Sequence, residues 1–271
     1  MLMPDPLERI AAALERLCPP PPAAADPRGL PAYLWRGGVL GAARAFSPLP
    51  ITMLLGIERQ KAALLENCRR LAAGHAAQDV LLWGARGTGK SALVKSAIAE
   101  VQAKGGNLAL VEMARIDDLP GLFAALAPVP RAFALFADDI GFDTPADART
   151  LRSLLEGGAE ARPHNVRLFV TSNRRHLLPR DIAEQDSAIN PRDAVDDQLA
   201  LADRFGLSLG FHVLDQDGYI AIVAAYADRY GLRFDAADAI GWATRRGSRS
   251  GRVAWQYATE LAGREGRTLN L

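Results

Sequence analysis

Val80-Leu81-Leu82-Trp83-Gly84-Ala85-Arg86-Gly87-Thr88-Gly89-Lys90-Ser91 joins an apolar run to the start of an amphipathic one. Asp79 to Trp83 reads as a buried strand, and Lys90 to Ala103 reads as a helix closed by Gly105-Gly106. Between them, Gly84 to Ser91 satisfies G-x-x-x-x-G-K-[ST] at every fixed position. Glycines let such a loop curl until its N–H groups point inward at phosphate oxygens, and the helix behind it adds its positive N-terminal dipole. Gly84, Ala85, Arg86, Gly87, Thr88 and Gly89 are thus the expected cradle. Lys90 neutralises the β and γ phosphates, and Ser91 offers its hydroxyl to magnesium. The chain has 28 arginines and only four lysines, yet a lysine stands where a compact point charge is preferred to a planar fork. ATP and Mg2+ are the expected cofactors.

Outward from this loop, helices alternate with short apolar strands. Ile57 to Ala73 reads as a helix, Leu108 to Glu112, Phe133 to Ala137 and Val166 to Thr171 as strands, and Ala146 to Leu155 as another helix. A last strand lies near Leu207 to Val213. Strands that are apolar on both faces imply a parallel five-stranded sheet sandwiched by helices. Gly218 to Tyr230, Ala236 to Arg246 and Ser250 to Ala262 then read as three helices with no strand between them, a small all-helical domain.

The strand Phe133 to Ala137 ends in Asp138 and Asp139. Strand ends in such sheets open on the ligand crevice, so Asp138 is placed to hold magnesium and Asp139 to orient the attacking water. Capping of the following turn is the alternative use for either aspartate.

With these elements in this order, the chain resembles the AAA+ ATPases. Thr171-Ser172-Asn173 resembles the sensor 1 position, where Asn173 would touch the γ-phosphate or the water. Leu201-Ala202-Asp203-Arg204-Phe205-Gly206 resembles the segment that carries the arginine finger, with Arg204 as the finger. Gly247-Ser248-Arg249 resembles sensor 2, with Arg249 reaching from the helical lid to the nucleotide and Arg252 competing for that role. The run from Leu81 through Trp255 is similar to an uncharacterised bacterial AAA+ family, domain of unknown function 815, including Glu156-Gly157-Gly158, Thr171 to His176 and Gly247 to Arg252.

The resemblance implies a P-loop AAA+ core over residues 51–213 and a lid over 214–271. It also implies Mg-ATP hydrolysis in a ring or other homo-oligomer, to remodel or load a macromolecular partner. Two departures bear on this. Asp139 stands where the wider family usually carries Glu, one methylene longer, so hydrolysis is expected to be slow. Ile116 to Leu122 lacks the aromatic of a polypeptide-threading pore loop. The alternative is therefore a slow-hydrolysing, nucleotide-gated binding module. Arg174-Arg175-His176 and the cluster Arg245, Arg246, Arg249 and Arg252 offer local charge for a nucleic-acid partner, the lesser alternative to an unidentified client. A kinase would more naturally interrupt its core with a substrate domain than append three helices.

Residues 1–50 read as an attachment rather than part of the sheet. Asp5-Pro6-Leu7-Glu8 opens a short amphipathic helix with Leu7, Ile10, Leu14 and Leu17 on one face, followed by a Pro/Ala-rich linker. A formal net charge of +1 excludes a protein held on nucleic acid by bulk charge alone. The longest apolar run, Tyr219 to Ala227, is far short of the roughly 18 residues of a membrane span. Asp5, Glu8 and Arg9 do not make a signal peptide, and Cys18 and Cys68 have no second ligand at metal spacing. A soluble protein of the cytoplasm is expected.

Overall fold

The computed structural model describes residues 24–139, 162–173 and 204–269, together with residues 5, 7, 151 and 155. Seven strands form one sheet: β1 (Ala32–Arg36), β2 (Val39–Ala42), β3 (Val80–Gly84), β4 (Leu108–Met113), β5 (Ala132–Ala137), β6 (Val166–Ser172) and β7 (Leu207–Phe211). Their spatial order is β2-β1-β4-β5-β6-β3-β7. All pairings are parallel except the β1–β2 hairpin.

The expected five strands are therefore β3 to β7, and the count of five is corrected to seven among the described residues. The two added strands lie within residues 1–50, so that segment is not merely an attachment. Its turn, Gly37-Gly38, has φ +57° and +79°, as a two-residue hairpin turn of type I′ requires. β1 then runs parallel to β4, with Tyr33 opposite Val111, and buries Tyr33 and Trp35. The helix expected between Leu7 and Leu17 lies outside the described residues but for Leu7 itself.

Helices cover both faces of the sheet. On one face α1 (Glu58–Ala72) contributes Leu64, Cys68 and Leu71, and α2 (Lys90–Ala103) contributes Leu93, Val94, Ala97 and Ile98; they pack on Val80, Leu82 and Phe136. The other face packs Leu81, Val111 and Leu135 against α3 (Leu119–Leu126). Successive strand residues such as Leu135 and Phe136 enter opposite cores, which explains why these strands are apolar throughout. The stretch compared above with a pore loop is a 3-10 turn, Ile116–Asp118, running into α3.

The lid consists of α4 (Gln216–Tyr230), α5 (Ala236–Arg245) and α6 (Gly251–Arg264). Each starts on a side chain that accepts a backbone N–H: Asp215 from Gly218, Asp235 from Asp238, and Ser250 from Val253. A separate core around Tyr219, Trp242 and Tyr257 holds the three together. Leu49 packs against both this core and the α1/α2 core, so the segment before α1 ties lid to sheet.

Candidate functional site

The loop from Gly84 to Gly89 owes its shape to three glycines with positive φ: Gly84 at +137°, Gly87 at +78° and Gly89 at +96°. Two of these are also steric necessities. A Cβ on Gly84 would come within 2.1 Å of the Phe211 carbonyl oxygen, and one on Gly87 would meet the Ser250 hydroxyl at 2.8 Å. The second contact presses the loop against the start of α6, so the lid closes one side of the cradle. Thr88 Oγ1 donates to the Ala85 carbonyl at 2.8 Å and keeps the loop curled.

Lys90, the first residue of α2, is buried. Its Nζ donates to Gly84 O at 2.7 Å, Ala85 O at 2.8 Å and Asn173 Oδ1 at 3.4 Å. Burial pushes its pKa below the ordinary lysine value; Asp139 and Asp138 oppose that shift, while Arg252 and Arg86 add to it. Among the described residues this buried ammonium meets three neutral acceptors and no carboxylate in direct ion-pair contact, Asp138 and Asp139 acting on it only from nearby.

Ser91, one residue on, donates from Oγ to Asp138 Oδ1 at 2.5 Å, and Thr171 Oγ1 donates to the same oxygen at 2.6 Å. Thr171 Oγ1 also accepts the backbone N–H of Asp139 at 2.7 Å. Hydroxyl and carboxylate oxygens gathered in this way are the hard donors that suit magnesium. Asp139 follows with φ +52°, the one non-glycine residue at positive φ among those described. Asn173 donates from Nδ2 to Asp139 Oδ1, and Arg86 Nη2 lies 3.5 Å from Asp139 Oδ2.

These groups open on one cleft of about 550 Å³ between sheet and lid. Its lining joins the polar groups Arg86, Lys90, Ser91, Asp138, Asp139, Thr171 and Asn173 with the apolar and aromatic side chains Leu49, Leu54, Tyr226 and Trp255. The Tyr226 and Trp255 rings are 5.2 Å apart and tilted, an aromatic wall contributed by the lid.

The fold thus brings Lys90, Ser91, Asp138, Asp139 and Asn173 together from three elements that are distant in sequence. Of the two arginines competing at the lid, Arg252 lines the cleft, whereas Arg249 is exposed before α6 and outside the lining. Arg204 is exposed just ahead of β7 and also outside the lining. Arg174, Arg175 and His176 lie outside the described residues. Sequence reasoning passed over Thr171 as a hydrogen-bonding partner, and over Leu49, Leu54, Tyr226 and Trp255. Isolated apolar residues carry no signal until the chain brings them to one wall.

The family model for the protein of unknown function DUF815 matches residues 28–265. This chain belongs to the DUF815 family. No curated protein matches the sequence of this DUF815 member. Among solved structures, it is similar to the RuvB Holliday junction branch migration motor of Thermotoga maritima, with TM-score 0.54 and 18% identity over 81% of this chain and 67% of that one. It is also similar to ORC2 of Aeropyrum pernix in its ADPNP–ADP complexes, with TM-score 0.55 and 15% identity over 83% of this chain and 67% of that one. The DUF815 chain therefore spans about two thirds of the length of these structures. Such identities speak to fold alone, and the fold is that of the AAA+ P-loop ATPases, a parallel-dominated sheet with its helical lid. Among the described residues no helix is long and apolar enough to cross a membrane.

Proposed function

We propose that this protein is an ATPase that binds Mg-ATP between core and lid, hydrolyses it as a homo-oligomer, and uses the cycle to remodel or load a macromolecular partner. The observation that carries this reading is Lys90: an ammonium buried at the base of a glycine loop, held by carbonyl oxygens and, among the described residues, without a carboxylate in ion-pair contact. A triphosphate supplies the counter-charge. Gly84, Gly87 and Gly89, all at positive φ, give the loop the curl that turns backbone N–H groups toward an anion.

In this reading Ser91 and Asp138 hold Mg2+, which when bound neutralises charge on the β and γ phosphates. Thr171 orients the Asp138 carboxylate by its hydrogen bond. Asp139 orients the attacking water, and Asn173 links Asp139 to Lys90. Leu49, Leu54, Tyr226 and Trp255 contact the base. Arg252, on the lid, takes the sensor 2 role in place of Arg249. Arg204, exposed and away from its own cleft, serves the cleft of a neighbouring subunit as the arginine finger. Likeness to a branch migration motor favours nucleic acid among possible partners. The cytoplasm is the compartment that suits an ATP-driven protein with this cysteine usage.

Calorimetry with Mg-ATP on the folded protein and on Lys90→Ala tests the reading. Uptake by the first and none by the second is expected; no magnesium-dependent uptake by the first ends it. A nucleotide-gated switch is the second reading, favoured because the short Asp139 carboxylate is already engaged by Asn173 and Arg86. Asp139→Asn separates the two: cellular function retained with ATP trapped supports the switch, and its loss supports the hydrolytic cycle.

A further inference from the structure

Asp139 combines three features that its neighbours lack. Its backbone sits at φ +52°, a region costly for residues with a side chain and tolerated by Asp better than by most. Its N–H is fixed by Thr171 Oγ1, at the end of β6. Each of its two carboxylate oxygens has its own partner: Oδ1 accepts from Asn173 Nδ2, and Oδ2 forms an ion pair with Arg86 Nη2 at 3.5 Å.

The loop motif leaves the position of Arg86 open, so phosphate binding alone does not call for a guanidinium there. The side chain lies 3.5 Å from Asp139 and lines the same cleft as Lys90 and Ser91. Both partners are largely exposed, 74% and 55%, and an exposed pair adds little to folding stability. A pair that contributes little to stability, at the mouth of a cleft, on the only strained aspartate described, acts where position matters more than energy.

We propose that Arg86 is a positioning residue for the Asp139 carboxylate, and that the left-handed backbone at Asp139, clamped by Arg86, Asn173 and Thr171, makes up for the methylene by which aspartate falls short of glutamate. The proposal rests on the ATPase reading above. Strain at this residue then has a use: turning the backbone advances the short side chain toward the phosphates, and Arg86 fixes where the carboxylate stops.

The test uses the full chain with Arg86→Ala and Arg86→Lys, each also combined with Asp139→Glu, measuring Mg-ATP binding by calorimetry and kcat and KM under the same assembly conditions. Arg86→Ala should lower kcat about tenfold or more while melting temperature stays near that of the parent and any loss of ATP affinity, from a side chain that also lines the cleft, stays well below the loss in kcat, because misplacement of a reacting group acts on turnover. Arg86→Lys should restore part of the loss. With Asp139→Glu, whose longer side chain reaches unaided, removing Arg86 should cost less than about twofold. A kcat that is unchanged or raised by Arg86→Ala, or a loss confined to ATP affinity, overturns the proposal alone. A parent protein that takes up no Mg-ATP overturns the ATPase reading and the proposal with it.

Discussion

Ser91 and Asp138 share a 2.5 Å hydrogen bond that joins the helix after the phosphate loop to the tip of a strand 47 residues further along the chain. Thr171 reaches the same Asp138 oxygen from the adjacent strand, so three elements converge on one carboxylate. Convergence of this kind holds the donors before any ligand arrives.

Replacing Thr171 by Val keeps the shape and removes the hydroxyl. Asp138 loses a donor, and magnesium affinity should fall about 10- to 100-fold, as for other residues that orient a metal ligand. The Asp139 N–H is left without its acceptor, at a cost of about 1–3 kcal/mol in stability. Magnesium titration at fixed ATP and urea unfolding measure the two effects separately.

Arg252→Ala should weaken ATP relative to ADP by roughly tenfold, the worth of a charged hydrogen bond to phosphate. Arg249→Ala should leave both affinities unchanged, because Arg249 stands outside the cleft. Competition binding of the two nucleotides distinguishes them, and equal effects from both arginines contradict the assignment.

Lys90→Ala and Arg204→Ala should each be inactive alone and partly active when mixed in equal amounts, since an interface that sets the cleft of an Arg204→Ala subunit against the finger of a Lys90→Ala subunit is complete. The finger is expected to contribute about 10³- to 10⁵-fold in rate. A mixture that assembles yet stays inactive rules out catalysis between subunits.

A chain beginning at residue 51 loses β1 and β2 and bares the edge of β4. Loss of the buried Tyr33 and Trp35 should cost about 3–5 kcal/mol for each. The open edge should promote self-association of the damaged sheet. Urea unfolding and light scattering against the full chain check both.

Alkaline pH should loosen the packing of the lid. Burial raises the Tyr219 and Tyr226 phenols from 10.0 to about 12, and burial together with Asp238 raises Tyr257 further. A phenol whose folded pKa exceeds its unfolded value favours folding while protonated. That contribution is complete below 10.0 and is lost as pH climbs toward about 12. Phenolate absorbance followed beside near-ultraviolet dichroism should show late ionisation coupled to loss of lid packing.

The phosphate loop, the acidic strand tip and the helical lid are all legible in the sequence, because each depends on local rules: glycine at positive φ, an apolar strand ending in carboxylates, helix periodicity without intervening strands. Lys90 to Ala103 is a helix in both readings, end to end. The β1–β2 hairpin carried its own signal in Gly37-Gly38 between apolar runs. The Pro- and Ala-rich stretch before it concealed that signal, and nothing local says that β1 pairs with a strand more than seventy residues away.

What the sequence determined by itself is therefore the chemistry available: a lysine, a serine, two aspartates and an asparagine at the ends of elements that a parallel sheet must align. What only the tertiary structure decided is which of them meet. Arg252 rather than Arg249 reaches the cleft because α6 begins at Gly251 against Gly87, and the pitch of that helix then aims the side chain. Thr171 holds Asp138 because β5 and β6 run side by side in parallel. Contacts between distant segments depend on register and packing, which hydrophobic pattern constrains only to a face, and so they become visible only once the chain has closed on itself.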